Sequence, residues 1–298
     1  MVSLLPSYHR YFGEIPVSNS IGTLYIVATP IGNLTDITER AQQVLKTVDL
    51  IACEDTRHSR HLLARFGINT PLFAYHDHNE ITATQQLIDC LKTGQNVALI
   101  SDAGTPLIND PGFILVRTAR AQHLPVVPIP GANAIICALS AAGLPTDRFL
   151  FLGFPPRTTS QRHTWAMSFI NEPGTLVCYE SGKRIVATLT DIAHVFGHQR
   201  QVVIARELTK QFETFLHGSL DELAQLITSN PEQQLGELVL IIAGAAADVN
   251  QQTLQEQQRI LRILIAELPV KQATALTAQI TGGSRNALYR EALSIQQS

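Results

Sequence analysis

Cysteine is scarce and scattered in this sequence. Its 298 residues hold four, Cys53, Cys90, Cys137 and Cys178, far apart and without a C-x-x-C pair. That spacing excludes a disulfide framework and a zinc-finger ligand set. As small apolar side chains they fit a reducing compartment, and the cytoplasm is the expected location. An excess of charge is also missing: 22 basic against 25 acidic side chains leave a net −3, which argues against nucleic acid coating the whole surface. No apolar run reaches the roughly 18 residues of a membrane-spanning helix. The longest, Ile129 to Leu144, is broken by Pro130, Gly131 and Asn133. Residues 1–20 lack a basic start followed by an apolar block and read as a loosely attached extension rather than a leader.

Several chemistries are excluded by missing motifs. No G-x-G-x-x-G or G-x-x-x-x-G-K-[ST] occurs, so the dinucleotide and Walker readings fail. Without a G-x-S-x-G elbow, a hydrolase reading is weak. His76-Asp77-His78-Asn79-Glu80 has the flavour of a metal site, but nothing else in the chain completes a ligand set at recognisable spacing. No metal is expected, and a substrate-facing loop is the better reading.

What the sequence does hold is apolar material, 45% against 16% charged, enough for real cores. At roughly 100–200 residues per domain, two domains and an appendage are expected. Short apolar runs at Leu24–Ala28, Leu50–Cys53, Pro71–Tyr75, Val97–Ile100 and Val126–Ile129 alternate with helix-period segments at Asp36–Lys46, Thr56–Phe66, Ile81–Thr93, Pro111–Gln122 and Ala132–Ala142. The alternation predicts a parallel α/β sheet over residues 21–143. After the Gly143–Asp147 linker, a mixed α/β domain fits residues 148–247, with strands at Phe149–Leu152, Thr175–Tyr179, Gln201–Arg206, Gln211–Leu216 and Glu237–Ala243. A hairpin is expected near Arg206–Gln211. The Gln-rich stretch Asn250–Gln258 reads as a linker or a frayed helix start. Beyond it, 258–298 should be a small helical domain, either a nucleic-acid-binding helix-turn-helix or a lid. Residues 251–298 carry five basic and three acidic side chains, net +2, which leaves −5 for the rest.

Ligands in such sheets sit at the carboxyl ends of strands. Two loops there are rich in small residues, Ser101-Asp102-Ala103-Gly104-Thr105-Pro106 and Pro128-Ile129-Pro130-Gly131-Ala132-Asn133-Ala134, and the first strand runs into the Gly-bearing turn Ala28-Thr29-Pro30-Ile31-Gly32-Asn33. They suit a flat, neutral or cationic ligand better than a triphosphate, because no lysine stands ready. Asn109-Asp110-Pro111-Gly112 should cap the helix that follows, and Asp36 or Thr35 the first helix. Glu54-Asp55 opens a run with Arg57, His58, Arg60, His61 and Arg65. That run is either a capped helix with a solvated face or a phosphate-positioning patch with a carboxylate beside it. Tyr179–Arg184 and Arg206–Lys210 each pair a carboxylate with basic side chains.

Together these motifs resemble the tetrapyrrole-methylase superfamily over about Gly22 to Ala245, and within it the branch that acts on small-subunit ribosomal RNA. The carrying residues are Thr23–Leu34, Glu54–Arg57, Ser101–Pro106, Pro128–Ala134, Leu152–Phe154, Tyr179–Ser181, Arg206–Lys210 and Gly236-Glu237. The resemblance implies two α/β domains with S-adenosylmethionine in the cleft between them, a homodimer, and 2′-O-methylation of a cytidine ribose in the decoding region of 16S ribosomal RNA. It places the cofactor against Thr29, Pro30, Ser101, Asp102, Ala103, Gly104, Thr105 and Pro106. Ala132, Asn133, Ala134, Leu152, Gly153, Phe154, Ser181, Leu208 and Gly236 complete that set. Pro155-Pro156-Arg157-Thr158 and Gly182-Lys183 depart from the family's pattern where RNA would touch. A proton acceptor is needed for a ribose hydroxyl, and Asp55, Glu54, Glu180 and His76 are candidates. Asp55 is preferred, with Arg57 and Lys210 on the phosphates. The rival readings are a tetrapyrrole methylase of the same fold and a non-catalytic RNA-binding module.

Overall fold

The computed structural model describes residues 21–245 and 249–296, with side chains from 256 to 295 in the second stretch. The expected extension 1–20 lies outside the described residues. Five short strands, β1 (Leu24–Val27), β2 (Leu50–Cys53), β3 (Leu72–Ala74), β4 (Val97–Leu99) and β5 (Val126–Ile129), pair in parallel in the order β3-β2-β4-β1-β5. Parallel pairing demands crossovers, and α1 (Glu39–Thr47), α2 (Thr56–Arg65), α3 (Glu80–Lys92) and α4 (Phe113–Ala121) supply them. Alternate strand residues face opposite layers. Ile51 and Cys53 pack with Ala41, Leu45 and Leu63 of α1 and α2, whereas Ala52 packs with Leu87, Leu91 and Leu115 of α3 and α4.

The second sheet is mixed. Its strands are β6 (Phe149–Phe151), β7 (Thr175–Ser181), β8 (Gln201–Arg206), β9 (Thr214–Ser219) and β10 (Glu237–Ile242), in the order β6-β7-β10-β8-β9. Only the β6–β7 pair is parallel. One face carries α6 (Thr159–Met167), α7 (Ile185–Phe196) and α8 (Leu220–Ser229). The other face is covered by α5 (Ala134–Ala142), the helix that leaves the last strand of the first sheet. Val177, Val203, Ala205, Val239 and Ile241 meet Ile135, Ala138, Leu139 and Ala142 there. α5 starts where the Asn133 side chain accepts bonds from the Ile135 and Ile136 N–H groups, and it ends at Gly143 in the left-handed conformation. Its alanines let it lie close against the sheet. Burying Ile135 and Leu139 contributes about 1.5–3 kcal/mol each.

Some boundaries differ from the sequence reading. A short 3-10 turn at Leu34–Asp36, capped by Asn33, precedes α1, and Thr38 rather than Thr35 or Asp36 caps that helix. The start of α4 is capped from outside its own loop: Glu80 Oε1 accepts from Gly112 N at 3.1 Å and Ile114 N at 3.3 Å. β8 and β9 do pair antiparallel, but β9 begins at Thr214, because residues 207–213 form a wider loop with Glu207 and Thr209 left-handed. All four cysteines are free; Cys53 and Cys178 are buried, Cys90 and Cys137 half-buried.

Contacts divide the chain into two compact units, one reaching Ala243 and a second from Gly244 onward that also takes Ile170–Pro173. The second holds α9 (Val249–Glu267), α10 (Val270–Thr281) and α11 (Arg285–Gln296), around buried Leu261, Ala273, Leu288 and Ala292. The Gln-rich stretch is therefore the first half of a 19-residue helix rather than a linker. Pro269 breaks α9 from α10, and Gly282, at φ +71°, ends α10.

Leu139 is almost fully buried between α5 and the second sheet. Leu139→Ala should lower unfolding free energy by about 2–5 kcal/mol, read as a lower urea midpoint at unchanged slope. A loss under about 1 kcal/mol would show that this contact does little to hold α5 on the sheet.

Candidate active site

Because β4, β1 and β5 are neighbours, the loops leaving them emerge side by side at one edge of the first sheet. Thr29 and Gly104 form an isolated antiparallel bridge, with N–O distances of 2.8 and 3.0 Å. The Thr29 hydroxyl donates to Ser101 O at 3.1 Å, and the Thr105 hydroxyl to Ala132 O at 3.0 Å. The three loops are thus braced to one another. Gly104 takes φ +86°, and an added Cβ would lie 3.3 Å from Ile31 Cγ2.

These loops face the ends of β7, β8 and β10 across a cavity of about 400 Å³, a size suited to a cofactor. One wall is Ile31, Ala103–Thr105, Ile108–Asp110, Asn133 and Ala134; the other is Phe154, Tyr179–Ser181, Ala205, Glu207, Leu208, Lys210 and Glu237–Val239. Tyr179, Ala205 and Val239 belong to the sheet face that α5 covers, so the cavity floor continues that core. Phe154 is half exposed, its ring 5.5 Å from that of Tyr179. Four of the five non-glycine residues with positive φ among the described residues flank the cavity: Leu107, Asn109, Glu207 and Thr209. Each such conformation costs on the order of 1–3 kcal/mol and collects at functional sites.

The cavity is acidic. Among its described lining residues Lys210 is the single basic side chain, and its Nζ is held by Glu207 at 2.9 Å and Glu237 at 3.1 Å. Burial pushes the Glu207 carboxyl up, but the bonds from Lys210 and the Glu237 N–H outweigh it and leave Glu207 below its ordinary range. Asp110 behaves oppositely. Burial, opposed by a hydrogen bond from Ser101 and reinforced by Glu54, Asp102 and Asp77, pushes its carboxyl up to about 6. Burial, with Asp110 opposite, pushes the Tyr179 phenol up to about 12. A small, carboxylate-bearing cavity without free basic groups fits a sulfonium and amino-acid ligand better than a polyphosphate.

Of the residues expected to bind cofactor, Ala103, Gly104, Thr105, Asn133, Ala134, Phe154, Ser181 and Leu208 line the cavity. Thr29, Ser101 and Ala132 brace the loops behind it, while Pro30, Asp102, Pro106, Leu152, Gly153 and Gly236 stand outside the lining. Gly236 matters differently: at φ +85°, its added Cβ would lie 2.3 Å from Glu207 Oε1. Glu180 and Lys210 line the cavity, but both are committed. The Glu180 oxygens accept from Ser181 N and the Thr188 hydroxyl and pair with Arg184. Arg184 also donates to the Pro155 and Pro156 carbonyls.

Asp55, the preferred acceptor in the sequence, is engaged in local hydrogen bonds. It is the N-cap of α2, outside the cavity lining. Bonds from the Arg57 side chain and backbone hold its carboxyl down at about 2. Glu54 is pushed up by burial and by Asp102 and Asp77, but it too is off the lining. Arg57 is exposed, as are His58, Arg60, His61 and Arg65, so α2 presents a basic surface. His76 and Asn79 close a turn, and among the described residues no group of His, Cys, Asp and Glu could hold a metal. The sequence reading missed Asp110, Tyr179 and Glu207 as lining residues. Asn109–Gly112 reads in the sequence as a cap, and the strand-end positions are visible only once the sheets face each other.

A carboxyl raised in the folded state binds its proton more tightly there than in the unfolded chain. Stability is therefore fully present below the unfolded value, near 4, and is lost as pH rises through about 6. Asp110→Asn should make the protein more stable than wild type at pH 8, with the gap closing toward pH 4. Urea midpoints across that range check it, and a variant less stable at pH 8 would refute the assignment.

Known proteins bear on this geometry. The sequence pattern of the family described as tetrapyrrole (corrin/porphyrin) methylases matches residues 23–224, and that of the RsmI C-terminal HTH domain matches residues 251–296. Ribosomal RNA small subunit methyltransferase I of Pseudomonas aeruginosa is 51% identical over 93% of this chain and 99% of its own. The protein of the same name from Escherichia coli O157:H7 is 52% identical over 93% and 97%. Among solved structures, cobalt precorrin-4 methyltransferase aligns with a TM-score of 0.56 at 16% identity, covering 78% of this chain and 98% of that one. A uroporphyrin-III C-methyltransferase from Thermus thermophilus, complexed with S-adenosylhomocysteine, aligns with 0.51 at 18% identity, covering 76% and 100%. At such identities the two structures speak for the fold. With both the pattern match and relatives of half-identical sequence in hand, the chain belongs to the tetrapyrrole methylase family, in the group of ribosomal RNA small subunit methyltransferases I.

Proposed function

We propose that this methyltransferase moves a methyl group from S-adenosylmethionine to the ribose 2′-oxygen of a cytidine in the decoding region of 16S ribosomal RNA. The observation that carries the reading is the cavity: three braced loops facing an acidic, partly aromatic wall. S-adenosylmethionine supplies a methyl carbon on a positively charged sulfur. Ala103–Thr105, Asn133 and Ala134 form the side that admits it closely, and Ile31, Ile108, Leu208 and Val239 keep water away from it. Holding donor and acceptor in line is worth roughly 7–11 kcal/mol when geometry is right. The exposed basic face of α2, with Arg57 and Arg60, suits the phosphates of the RNA strand.

In the same reading, residues 21–143 and 148–247 are the two catalytic domains, 258–298 grips RNA, and the protein works as a cytoplasmic homodimer. Arg285 and Arg290 on α11 are exposed. Among the described residues no helix is long and apolar enough to cross a membrane. Mass mapping of 16S ribosomal RNA with and without the protein tests the reading directly. One ribose-methylated cytidine should appear only with it, and a methyl on a base or on another RNA would reject it.

Two variants separate the parts. Gly104→Val adds a branched side chain at φ +86° against Ile31, facing the cavity. It should weaken S-adenosylmethionine binding in calorimetry by tenfold or more, about 1.4 kcal/mol; unchanged affinity would put the cofactor elsewhere. Replacing Arg285 and Arg290 together by Glu should weaken binding to small ribosomal subunits and flatten its log–log salt dependence, while cofactor affinity stays put. Undiminished methylation of the subunit by that double variant would remove the gripping role from the C-terminal helices.

A further inference from the structure

A ribose hydroxyl needs somewhere to leave its proton, and four carboxylates line the cavity: Asp110, Glu180, Glu207 and Glu237. Three already meet a basic side chain. Glu180 is paired with Arg184 and bonded to Thr188 and Ser181, and Glu207 and Glu237 share Lys210. Asp110 is the lining carboxylate, among the described residues, that no basic side chain meets.

The loop that carries Asp110 is built to aim it. Leu107 and Asn109, at φ +73° and +67°, turn the chain through conformations that non-glycine residues avoid. Immediately after Asp110, the loop is pinned by Glu80, whose Oε1 accepts from Gly112 N, Ile114 N and, at 3.0 Å, the Tyr75 hydroxyl. From the opposite sheet Gly153 leaves just enough room: an added Cβ there would lie 3.1 Å from Asn109 Oδ1. The loop is therefore clamped from its own sheet and approached by the other, with Asp110 on the cavity side.

We propose that Asp110 is the catalytic proton acceptor for the ribose 2′-hydroxyl, an assignment that rests on the methyl-transfer reading above. Asp110 takes the hydroxyl proton as the 2′-oxygen bonds to the methyl carbon. The electron pair of the broken carbon–sulfur bond stays on sulfur, which loses its positive charge. The groups facing Asp110 suit this task. Burial, with Glu54 after β2, Asp102 on its own loop and Asp77 after β3, makes it a stronger base than an ordinary carboxylate, and the Ser101 hydroxyl moderates the effect. Tyr179 of the second sheet stays protonated opposite it. With its proton affinity near 6, Asp110 is ionised at pH 7.5 yet basic enough to accept a proton in the transition state.

The test uses the full chain, S-adenosylmethionine and small ribosomal subunits lacking the modification. In single-turnover reactions from pH 5 to 9, wild type should show an acid limb near pH 6. Asp110→Asn should react about 10²–10⁴-fold more slowly and lose that limb. Its S-adenosylmethionine affinity, measured by calorimetry, should stay within about threefold of wild type, a change under 1 kcal/mol. Independently of activity, carbon-13 NMR of aspartate-labelled protein should contain one carboxyl titrating near 6, absent from Asp110→Asn. If the variant keeps the rate and the limb, Asp110 is not the acceptor. Loss of cofactor affinity in step with rate would assign Asp110 to holding the cofactor and overturn the proposal. Wild-type methylation of a base rather than a ribose would reject the parent reading and this inference with it, an outcome distinct from the other two.

Discussion

The packing of α5 on the second sheet is the contact on which the site depends. This helix begins at the end of the first sheet's last strand and buries Ile135, Ala138, Leu139 and Ala142 against the other sheet. The loop ahead of it, Pro130–Asn133, is therefore held beside the ends of β7, β8 and β10. The cavity floor and the α5 core are one continuous surface, because Tyr179, Ala205 and Val239 belong to both. An error in α5 docking would reach the cavity directly, since packed interiors transmit small displacements rather than absorb them.

Charge and strain are distributed over the same residues. Around the cavity most carboxylates are disarmed by a local partner, and the left-handed residues cluster on the two loops that bring Asp110 and Glu207 inward. Such strain is retained when the surroundings over-determine it. Here Glu80 fixes one loop, while the Lys210 bridge and the Thr209 hydroxyl, which accepts from Asn33 N at 3.0 Å, fix the other. That last contact ties the loop after β1 to the loop after β8 at the cavity's edge.

The parallel first sheet was legible in the sequence because both faces of its strands are covered. Leu50–Cys53 and Val97–Leu99 read as unbroken apolar runs between amphipathic helices. Gly104, Asn133 and Ala134 were legible as candidate lining residues because small residues at strand ends have few other reasons to cluster. Asp110 was not. The run Asn-Asp-Pro-Gly reads as a turn, and only the remote Glu80 carboxylate shows that the helix is capped from outside, leaving Asp110 free for another use. Asp55 poses the mirror-image problem. Its place after a buried strand looked catalytic, whereas its carboxylate is spent on the first turn of α2. Distinguishing a capping carboxylate from a working one needs the hydrogen-bond partners, which sequence spacing does not contain.

The two rival readings fare differently against this geometry. A carboxylated macrocycle would call for arginines facing the cavity. Among the described lining residues the one basic side chain is Lys210, already bridged by two glutamates. Exposed basic residues lie instead outside the lining, as on α2 with Arg57, Arg60 and Arg65, where a long polyanion can reach them. A non-catalytic RNA-binding module, for its part, would have no use for four strained residues around an acidic cavity, since RNA binding alone is served by open basic surface. An acidic cavity and the basic surface of α2 suit an enzyme that keeps a cationic donor inside and takes a polyanionic acceptor from outside.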